Sequence, residues 1–350
     1  MDGSVQRGSG LTRAVLALAT IAALAYVGGF FGYGFFVGAD EYLSGAPRAT
    51  GCETPMSRFG WEYEAINYDI DDDARLLAEN PDLTDCANQG AAAGDVLVAS
   101  DGVALAGWFI PSAGPADESQ PTVVLIHGGK SNKSGMLPYA PPFHDAFDMA
   151  IIDLRNSGRS DGAQSTGGLR ERDDLRTLLD WLSEEKGAER FLLVGNSNGA
   201  GTALAEAWDD HRVEAVILDS MHASVERQIG NVIETERGLP AWPAALGLVQ
   251  GVSAKVGEPL ESVDPERTLR TWDARRILFT HGSADVIDRP EDSLQINVAV
   301  REATGGPYEQ HVCDGAGHGR VVEVCAEEWA DWVRAFVAET FPDVAGRVGG

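Results

Sequence analysis

Lysine is nearly absent. Only Lys130, Lys133, Lys186 and Lys255 occur in 350 residues, and 27 Lys and Arg face 54 Asp and Glu, a formal charge of −27. So acidic a surface repels nucleic acid and anionic lipid headgroups, and no nucleic-acid partner is expected. It suits high salt, where counter-ions screen the self-repulsion. No cluster with metal-ligand spacing and no dinucleotide fingerprint occurs, so neither a metal nor a cofactor is expected. Internal repeats and low-complexity tracts are missing too. The carboxylate runs Asp71 to Asp73 and Asp173-Asp174 read as solvated helix ends.

Charge is missing altogether from residues 14 to 39. The apolar stretch Ala14 to Gly38 exceeds the ~20 residues that span a bilayer. Arg7 and Arg13 precede it, and Asp40 and Glu41 follow. The positive-inside rule puts residues 1–13 in the cytoplasm, a single span over 14–38, and the rest of the chain outside. Residues 1–39 carry a net +1 from Asp2, Arg7 and Arg13, which leaves −28 outside. The competing reading is a signal peptide cleaved after Val37-Gly38-Ala39, giving a secreted protein; an apolar core this long exceeds the usual ~7–15 residues. Gly28-x-x-x-Gly32 and Gly34-x-x-x-Gly38 would let two such helices approach closely.

Four cysteines occur, Cys52, Cys86, Cys313 and Cys325, and allow three pairings. Proximity favours Cys52 with Cys86 and Cys313 with Cys325, in a compartment that permits disulfides. The second bridge would close the loop around His318 and remove about 3 kcal/mol of unfolded-state entropy. Four buried free thiols are the alternative.

Residues 39–92 read as a membrane-proximal segment, with a helix over Ala74 to Glu79 and a flexible joint at Gly90 to Gly94. Ser100-Asp101-Gly102 turns a hairpin between Val96–Ala99 and Val103–Ile110, which would form the antiparallel edge of a sheet. From Pro121 onward, buried strands alternate with amphipathic helices, the signature of a mostly parallel α/β sheet with helices on both faces. The helices fall at Met136–Phe147, Leu169–Glu185, Ala200–Asp209, Asp292–Glu302 and Val321–Thr340. Residues 221–272 break the alternation and read as a small helical cap. Trp242 and Leu248 are candidates for a substrate pocket, or pack the cap onto the body. His222 follows a strand and either lines that pocket or is structural.

The chemistry concentrates at Gly195-Asn196-Ser197-Asn198-Gly199. An apolar strand, Phe191 to Val194, precedes this G-x-S-x-G, and an alanine-rich helix follows. Strand, sharp turn and helix are the context of a nucleophile elbow; the pentapeptide alone would also fit a glycine-rich turn. A nucleophilic serine needs a base, and the base needs an orienting acid. Asp285 follows the strand Ile277 to Thr280, with Asp288 as the alternative acid. His318 lies between Gly317 and Gly319 in a later loop. The N–H of Asn198, at the start of a helix, faces an oxyanion on Ser197. The strand ending in His127-Gly128-Gly129 offers a second donor at Gly129, with His127 a structural histidine. His281 is expected to pack in the acid loop.

These residues, in this order, resemble the α/β-hydrolase superfamily. Asp153-Leu-Arg-Asn-Ser-Gly-Arg-Ser-Asp-Gly162 looks like its D-x-R-G-x-G-x-S-x-G loop, with Asn156 at the first glycine. The chain is similar to the membrane-anchored Bem46-like and serine aminopeptidase-like branches over roughly residues 93–340, within a hydrolase domain expected over 93–342. Asn198 stands where many of those relatives carry Met or Gln. The resemblance implies an α/β-hydrolase fold and a serine hydrolase acting on small esters, acyl compounds or short peptides. A non-catalytic surface binding protein on the same fold is the reading from another class.

Overall fold

The computed structural model describes residues 6–44, 53–66, 92–93, 97–114, 120–162 and 164–348. Cys52, Cys86, Asp71 to Asp73 and the helix expected over Ala74 to Glu79 lie outside the described residues.

Among the described residues, nine strands form one sheet: β1 (Glu64–Ile66), β2 (Ala92–Ala93), β3 (Gly107–Ile110), β4 (Thr122–Ile126), β5 (Asp148–Ile152), β6 (Phe191–Asn196), β7 (Val213–Asp219), β8 (Arg276–Gly282) and β9 (Tyr308–Cys313), in the spatial order β2-β1-β3-β5-β4-β6-β7-β8-β9. From β5 through β9 all pairings are parallel, while β3 is antiparallel to both β5 and β1. Strands β4 and β6 are continuous apolar runs because helices and coil cover both faces. One core lies between the sheet and the helices Glu171–Lys186 and Asn198–Asp209, another under the helix Ala326–Thr340. A third, smaller core sits beneath the cap.

Several local expectations shift. The helix expected over Met136–Phe147 is two 3₁₀ segments, Lys133–Tyr139 and Pro141–Phe143. Pro138, Pro141 and Pro142 withhold the N–H groups that a continuous α-helix would use. The helix expected over Val321–Thr340 breaks at Cys325, whose backbone leaves helical geometry, dividing Val321–Val324 from Ala326–Thr340. The bridge Cys313–Cys325 is present, with Cα atoms 6.0 Å apart. The hairpin at Ser100-Asp101-Gly102 shrinks to one bridge between Val98 and Ala104, and the sheet's edge is formed by β1 and β2 instead. Asp174 is not a solvated helix end: it is buried and accepts from Arg155 Nε at 2.8 Å.

The cap consists of the helices Val225–Arg237 and Ala241–Val256, followed by short turns Leu260–Val263 and Pro265–Leu269. The apolar N-terminal helix Gln6–Gly32 continues through a π-helical stretch, Tyr33–Gly38, into Ala39–Ser44. Its last part packs on the cap, burying Ala39 and Leu43 with Leu248 and Val252.

Candidate active site

Strand β6 ends where Ser197 takes φ 52° and ψ −119°, a conformation strained for any residue with a Cβ. The strain is held by what surrounds it. A Cβ on Gly195 would lie 2.4 Å from the Gly199 carbonyl, and one on Gly199 would lie 2.3 Å from the Ile126 carbonyl. Only glycines let the elbow fold back this tightly against β4. Ser197 N–H donates to the Asp219 carbonyl at 2.8 Å. Below it, the buried Asp219 carboxylate accepts from Tyr139 (2.5 Å), Asn196 (2.9 Å) and Thr280 (3.0 Å). This network ties the tips of β6, β7 and β8 together.

Ser197 Oγ lies 2.8 Å from His318 Nε2, and His318 Nδ1 lies 2.8 Å from Asp285 Oδ2. A carboxylate only accepts, so Nδ1 carries the proton and the neutral ring's Nε2 is free to accept from the serine. Asp285 is itself fixed: Oδ1 accepts the N–H groups of Ile287 and Asp288, both at 2.9 Å. Its Oδ2 also lies 3.2 Å from Nε2 of the buried His281, which packs in the acid loop as expected. Burial pushes the Asp285 carboxyl up, but the hydrogen bonds from His281 and His318 outweigh it and hold it well below the usual range. Burial pulls the His318 imidazole down, and the hydrogen bond and charge of Asp285 reverse this to a net rise. Asp288 is farther from His318 Nδ1, at 3.9 Å, and accepts from Gln228 of the cap at 3.0 Å. Burial raises its pKa to about 6, opposed by the charge of His318. Of the two candidate acids, Asp285 is the one in contact with the imidazole. The His318 loop is tied down by Gly319 N–H donating to Ser220 Oγ at 3.1 Å and by the Cys313–Cys325 bridge.

Gly129 and Asn198 meet beside the serine: a Cβ on Gly129 would stand 3.0 Å from Asn198 Nδ2. Asn198 opens the helix Asn198–Asp209, so its N–H has no carbonyl one turn back to bond. Nε2 of the buried His127 accepts the Leu154 N–H at 3.0 Å, and Nδ1 reaches the Gly128 carbonyl at 2.8 Å. His127 thus holds the loop's shape. In the neighbouring loop Asp153 accepts from Lys133 N (2.7 Å) and Arg159 N (2.9 Å), and Arg155 bridges Asp174 and Asp101. Asn156 takes φ 57° at the position where the resemblance called for glycine. Asparagine tolerates that region better than other side chains do.

A cavity of about 410 Å³ runs from Ser197, His318, Gly129 and Asn198 to the cap. Leu248 lies along it and also packs in the core beneath the cap, so both readings of this residue meet there. Trp242 does not line the cavity: it sits at the kink where the second cap helix begins, in non-helical backbone, with 58% of its surface exposed. His222 does not line it either. It is buried against the elbow helix, where a Cβ on Gly201 would stand 3.0 Å from its ring, and burial with the nearby His318 lowers its pKa to about 4. Among the described residues, no three His, Cys, Asp or Glu side chains converge as a metal site requires.

The sequence model of the alpha/beta hydrolase fold matches residues 121–306, just over half of the chain. The chain belongs to the α/β-hydrolase family. This hydrolase is 35% identical over 134 residues to YfhR of Escherichia coli O157:H7, a protein described as uncharacterised; the match covers 37% of this chain and 46%, about half, of YfhR. An esterase of Pyrococcus furiosus, Pf2001, superposes with a TM-score of 0.64 at 20% identity, covering 85% of this chain and 98% of that one. The acylaminoacyl peptidase of Pyrococcus horikoshii superposes at 0.51 with 16% identity, over 68% of this chain and 40% of its own. At such identities the likeness is one of fold.

Residue pattern placed His281 in the acid loop without showing its contact with Asp285, and it missed one wall of the site. The N-terminal helix contributes Tyr33, Gly34 and Gly38 to the cavity wall, which a hydropathy profile reads as membrane span and nothing more.

Proposed function

We propose that this α/β-hydrolase is a serine hydrolase that cleaves carboxylic esters or related acyl compounds through an acyl-enzyme. The observation that carries the reading is the unbroken chain Ser197 Oγ, His318, Asp285 at 2.8 Å per link, opening into the cavity beside Gly129 and Asn198. Ser197 Oγ attacks the acyl carbon as its proton passes to His318 Nε2. Asp285 accepts from Nδ1–H and stabilises the imidazolium. The Gly129 and Asn198 N–H groups hold the oxyanion of the tetrahedral intermediate. The intermediate collapses, the acyl–oxygen bond breaks, and His318 returns the proton to the leaving alcohol. Water, deprotonated by the same imidazole, then releases the acid and restores Ser197.

Cleavage of short peptides from their amino end would call for a free carboxylate to bind the substrate ammonium. Among the described residues, the acidic side chains lining the cavity are Glu41, Glu171 and Glu236. Glu41 pairs with Arg237, Glu236 pairs with Lys130, and Glu171 accepts from Thr166 and Gly168. That pairing favours the ester reading. The apolar helix up to Gly38 is read as the single membrane span, with Arg7 and Arg13 inside and the hydrolase domain outside, where the Cys313–Cys325 bridge is stable.

Fluorophosphonate labelling, followed by a panel of p-nitrophenyl esters and aminoacyl anilides, tests the assignment. Labelling lost in Ser197→Ala with esters turned over best is the expected result. Labelling that persists on another serine would refute the nucleophile, and a preference for anilides would reverse the choice of substrate. Protease added to intact cells should digest the hydrolase domain; protection until lysis would invert the orientation.

A further inference from the structure

The N-terminal helix does more than hold the protein at a membrane. Between Val15 and Ser44 its mean hydropathy reaches 2.0, and Leu16, Leu18, Ile21 and Leu24 are each more than 60% exposed, so the protein itself covers none of them. Farther along, the same helix is clasped by the second cap helix. A Cβ on Gly34 would lie 2.0 Å from the Ala244 carbonyl, one on Gly247 2.2 Å from the Phe31 carbonyl, and one on Gly251 2.4 Å from the Phe35 carbonyl. Two glycine pairs spaced four residues apart, Gly34 with Gly38 and Gly247 with Gly251, thus face each other and bring backbone against backbone. The face that the sequence offered to a second membrane helix is already occupied by the cap, whereas Gly28 and Gly32 have nothing within 4 Å.

The two helices run parallel, with Phe31 at Gly247, Phe35 at Gly251, and Asp40 paired to Lys255 at 2.6 Å. Extending that register back by about 1.5 Å per residue, as far as the kink at Trp242, sets Pro243 roughly level with Val27, so Trp242 and Tyr26 flank that level. Both rings are exposed, and the ion pairs Lys255–Asp40 and Arg237–Glu41 lie farther along, on the aqueous side. Exposed rings at one level, with apolar surface to one side and charge to the other, suit the outer part of a membrane span. Tyr26 lies within the span read over residues 14–38, so the start of the cap helix reaches the depth of that span. Behind it the cavity is walled by Gly34, Gly38, Ile229, Ile233 and Leu248, and ends at Ser197 and His318. One cavity joins the reactive serine to a wall that is itself the end of the membrane span.

We propose that the substrate is a neutral or zwitterionic lipid ester, taken directly from the leaflet that faces the catalytic domain. Its acyl chain lies along the Gly34–Leu248 wall and its ester reaches Ser197. The proposal rests on the serine-hydrolase reading above. Neutral or zwitterionic headgroups follow from the domain's charge, which repels anionic ones. The helix is then a permanent part of the enzyme, because cleavage after Ala39 would remove Tyr33, Gly34 and Gly38 from the cavity.

The test uses the full chain reconstituted in phosphatidylcholine vesicles, with monooleoylglycerol in the bilayer and p-nitrophenyl acetate in solution as probes. Each further buried methylene should raise kcat/KM by about fourfold until the wall is covered, so the oleoyl ester should lead by at least about a hundredfold. Replacing part of the phosphatidylcholine by phosphatidylglycerol should slow it. Trp242→Ser, a change on an exposed side chain outside the cavity, should cut the vesicle rate several-fold and leave acetate turnover unchanged. Gly251→Leu, which would force the helices apart, should do the same more severely. Fluorophosphonate labelling of Ser197 accompanies every variant. Labelled protein that cleaves acetate but shows no lead for the bilayer ester, or a Trp242→Ser variant that loses both rates equally, would overturn the lipid proposal alone. Protein that is not labelled at Ser197 and cleaves neither ester would overturn the serine-hydrolase reading on which it rests.

Discussion

The floor and the roof of the cavity are held by different physics. On the floor, Ser197, His318 and Asp285 stand on loops at the ends of parallel strands. The Asp219 network, the two N–H groups on Asp285 and the Gly319–Ser220 bond lock those loops in place. Asp219, Ser220, Thr280, Asp285 and Asp288 are buried, so losing one of their partners leaves a buried group unsatisfied, at roughly 1–3 kcal/mol. The roof has few such bonds. Glycine-to-backbone contact and apolar packing join the cap to the N-terminal helix. The ion pairs Lys130–Glu236, Arg237–Glu41 and Lys255–Asp40 join side chains that are all more than a third exposed. Such pairs contribute at most about 1 kcal/mol each. A rigid floor under a roof that can yield is what admission of a large substrate to a fixed catalytic geometry requires. Changes to the floor should strike turnover, and changes to the roof should strike binding.

The largest effect expected is on the floor. Ser197→Ala should lower kcat by on the order of 10⁶ while thermal unfolding stays put, since removing the nucleophile costs most of what the catalytic unit supplies. Retained turnover in a correctly folded variant would sever floor from function.

Asp285→Asn should come next, at about 10⁴ in kcat, because an amide in that position favours the wrong imidazole tautomer. Asp288→Asn should cost no more than about tenfold, its carboxyl being 3.9 Å away and bonded to Gln228. Parallel single-turnover measurements decide between them. If Asp288 proved the more damaging, the acid would sit against the cap and the contrast between floor and roof would collapse.

Gly34→Leu probes the roof, since its Cβ would strike the Ala244 carbonyl. Overpacking of this kind costs about 1–3 kcal/mol. KM for a soluble butyrate ester should rise by about tenfold, with kcat held within about threefold. A fall in kcat alone would show that the roof positions the catalytic groups.

Removing the Cys313–Cys325 bridge by paired serine substitutions should lower stability by about 3 kcal/mol, read as a lower Tm. Its effect on rate should be smaller and should fall on kcat more than KM, because a loosely held His318 damages the chemical step.

The smallest effect is a displacement along the pH axis. His318 must be neutral to accept the serine proton, and Asp285 holds its pKa above the ordinary 6.5. The acid limb of kcat/KM should therefore lie above 6.5 and move to lower pH in Asp285→Asn, where burial is opposed only by the weaker charges of Asp288 and Asp219. Folding linkage has the same origin. A raised histidine pKa adds stability that is fully present below the unfolded value and is lost as pH rises through the folded one. A limb that stayed in place in Asp285→Asn would remove the carboxylate as its cause.

Short-range pattern was enough to fix much of the fold and the candidate residues. The apolar run Phe191 to Val194, its glycine turn and the alanine-rich helix specify an elbow because only that local geometry accommodates a serine between two glycines at a strand tip. The order of Ser197, Asp285 and His318, and the pairing of two cysteines twelve positions apart, were legible for the same reason: each lies at the end of a buried strand or close by in the chain. Pattern failed where the deciding partner is remote. Asp174 looks solvated until Arg155 is brought to it across 19 positions. Asp285 and Asp288 are alike in sequence, and only the distance to one imidazole separates them. Trp242 and Leu248 share one cap helix, yet one faces outward and the other the cavity. Gly34 and Gly38 of the N-terminal helix read as part of a dimer seam until Ala244 and Leu248, more than two hundred positions later, cover them. Sequence determines the backbone a segment prefers; which of two equivalent faces or carboxylates is used depends on what chain folding packs against it.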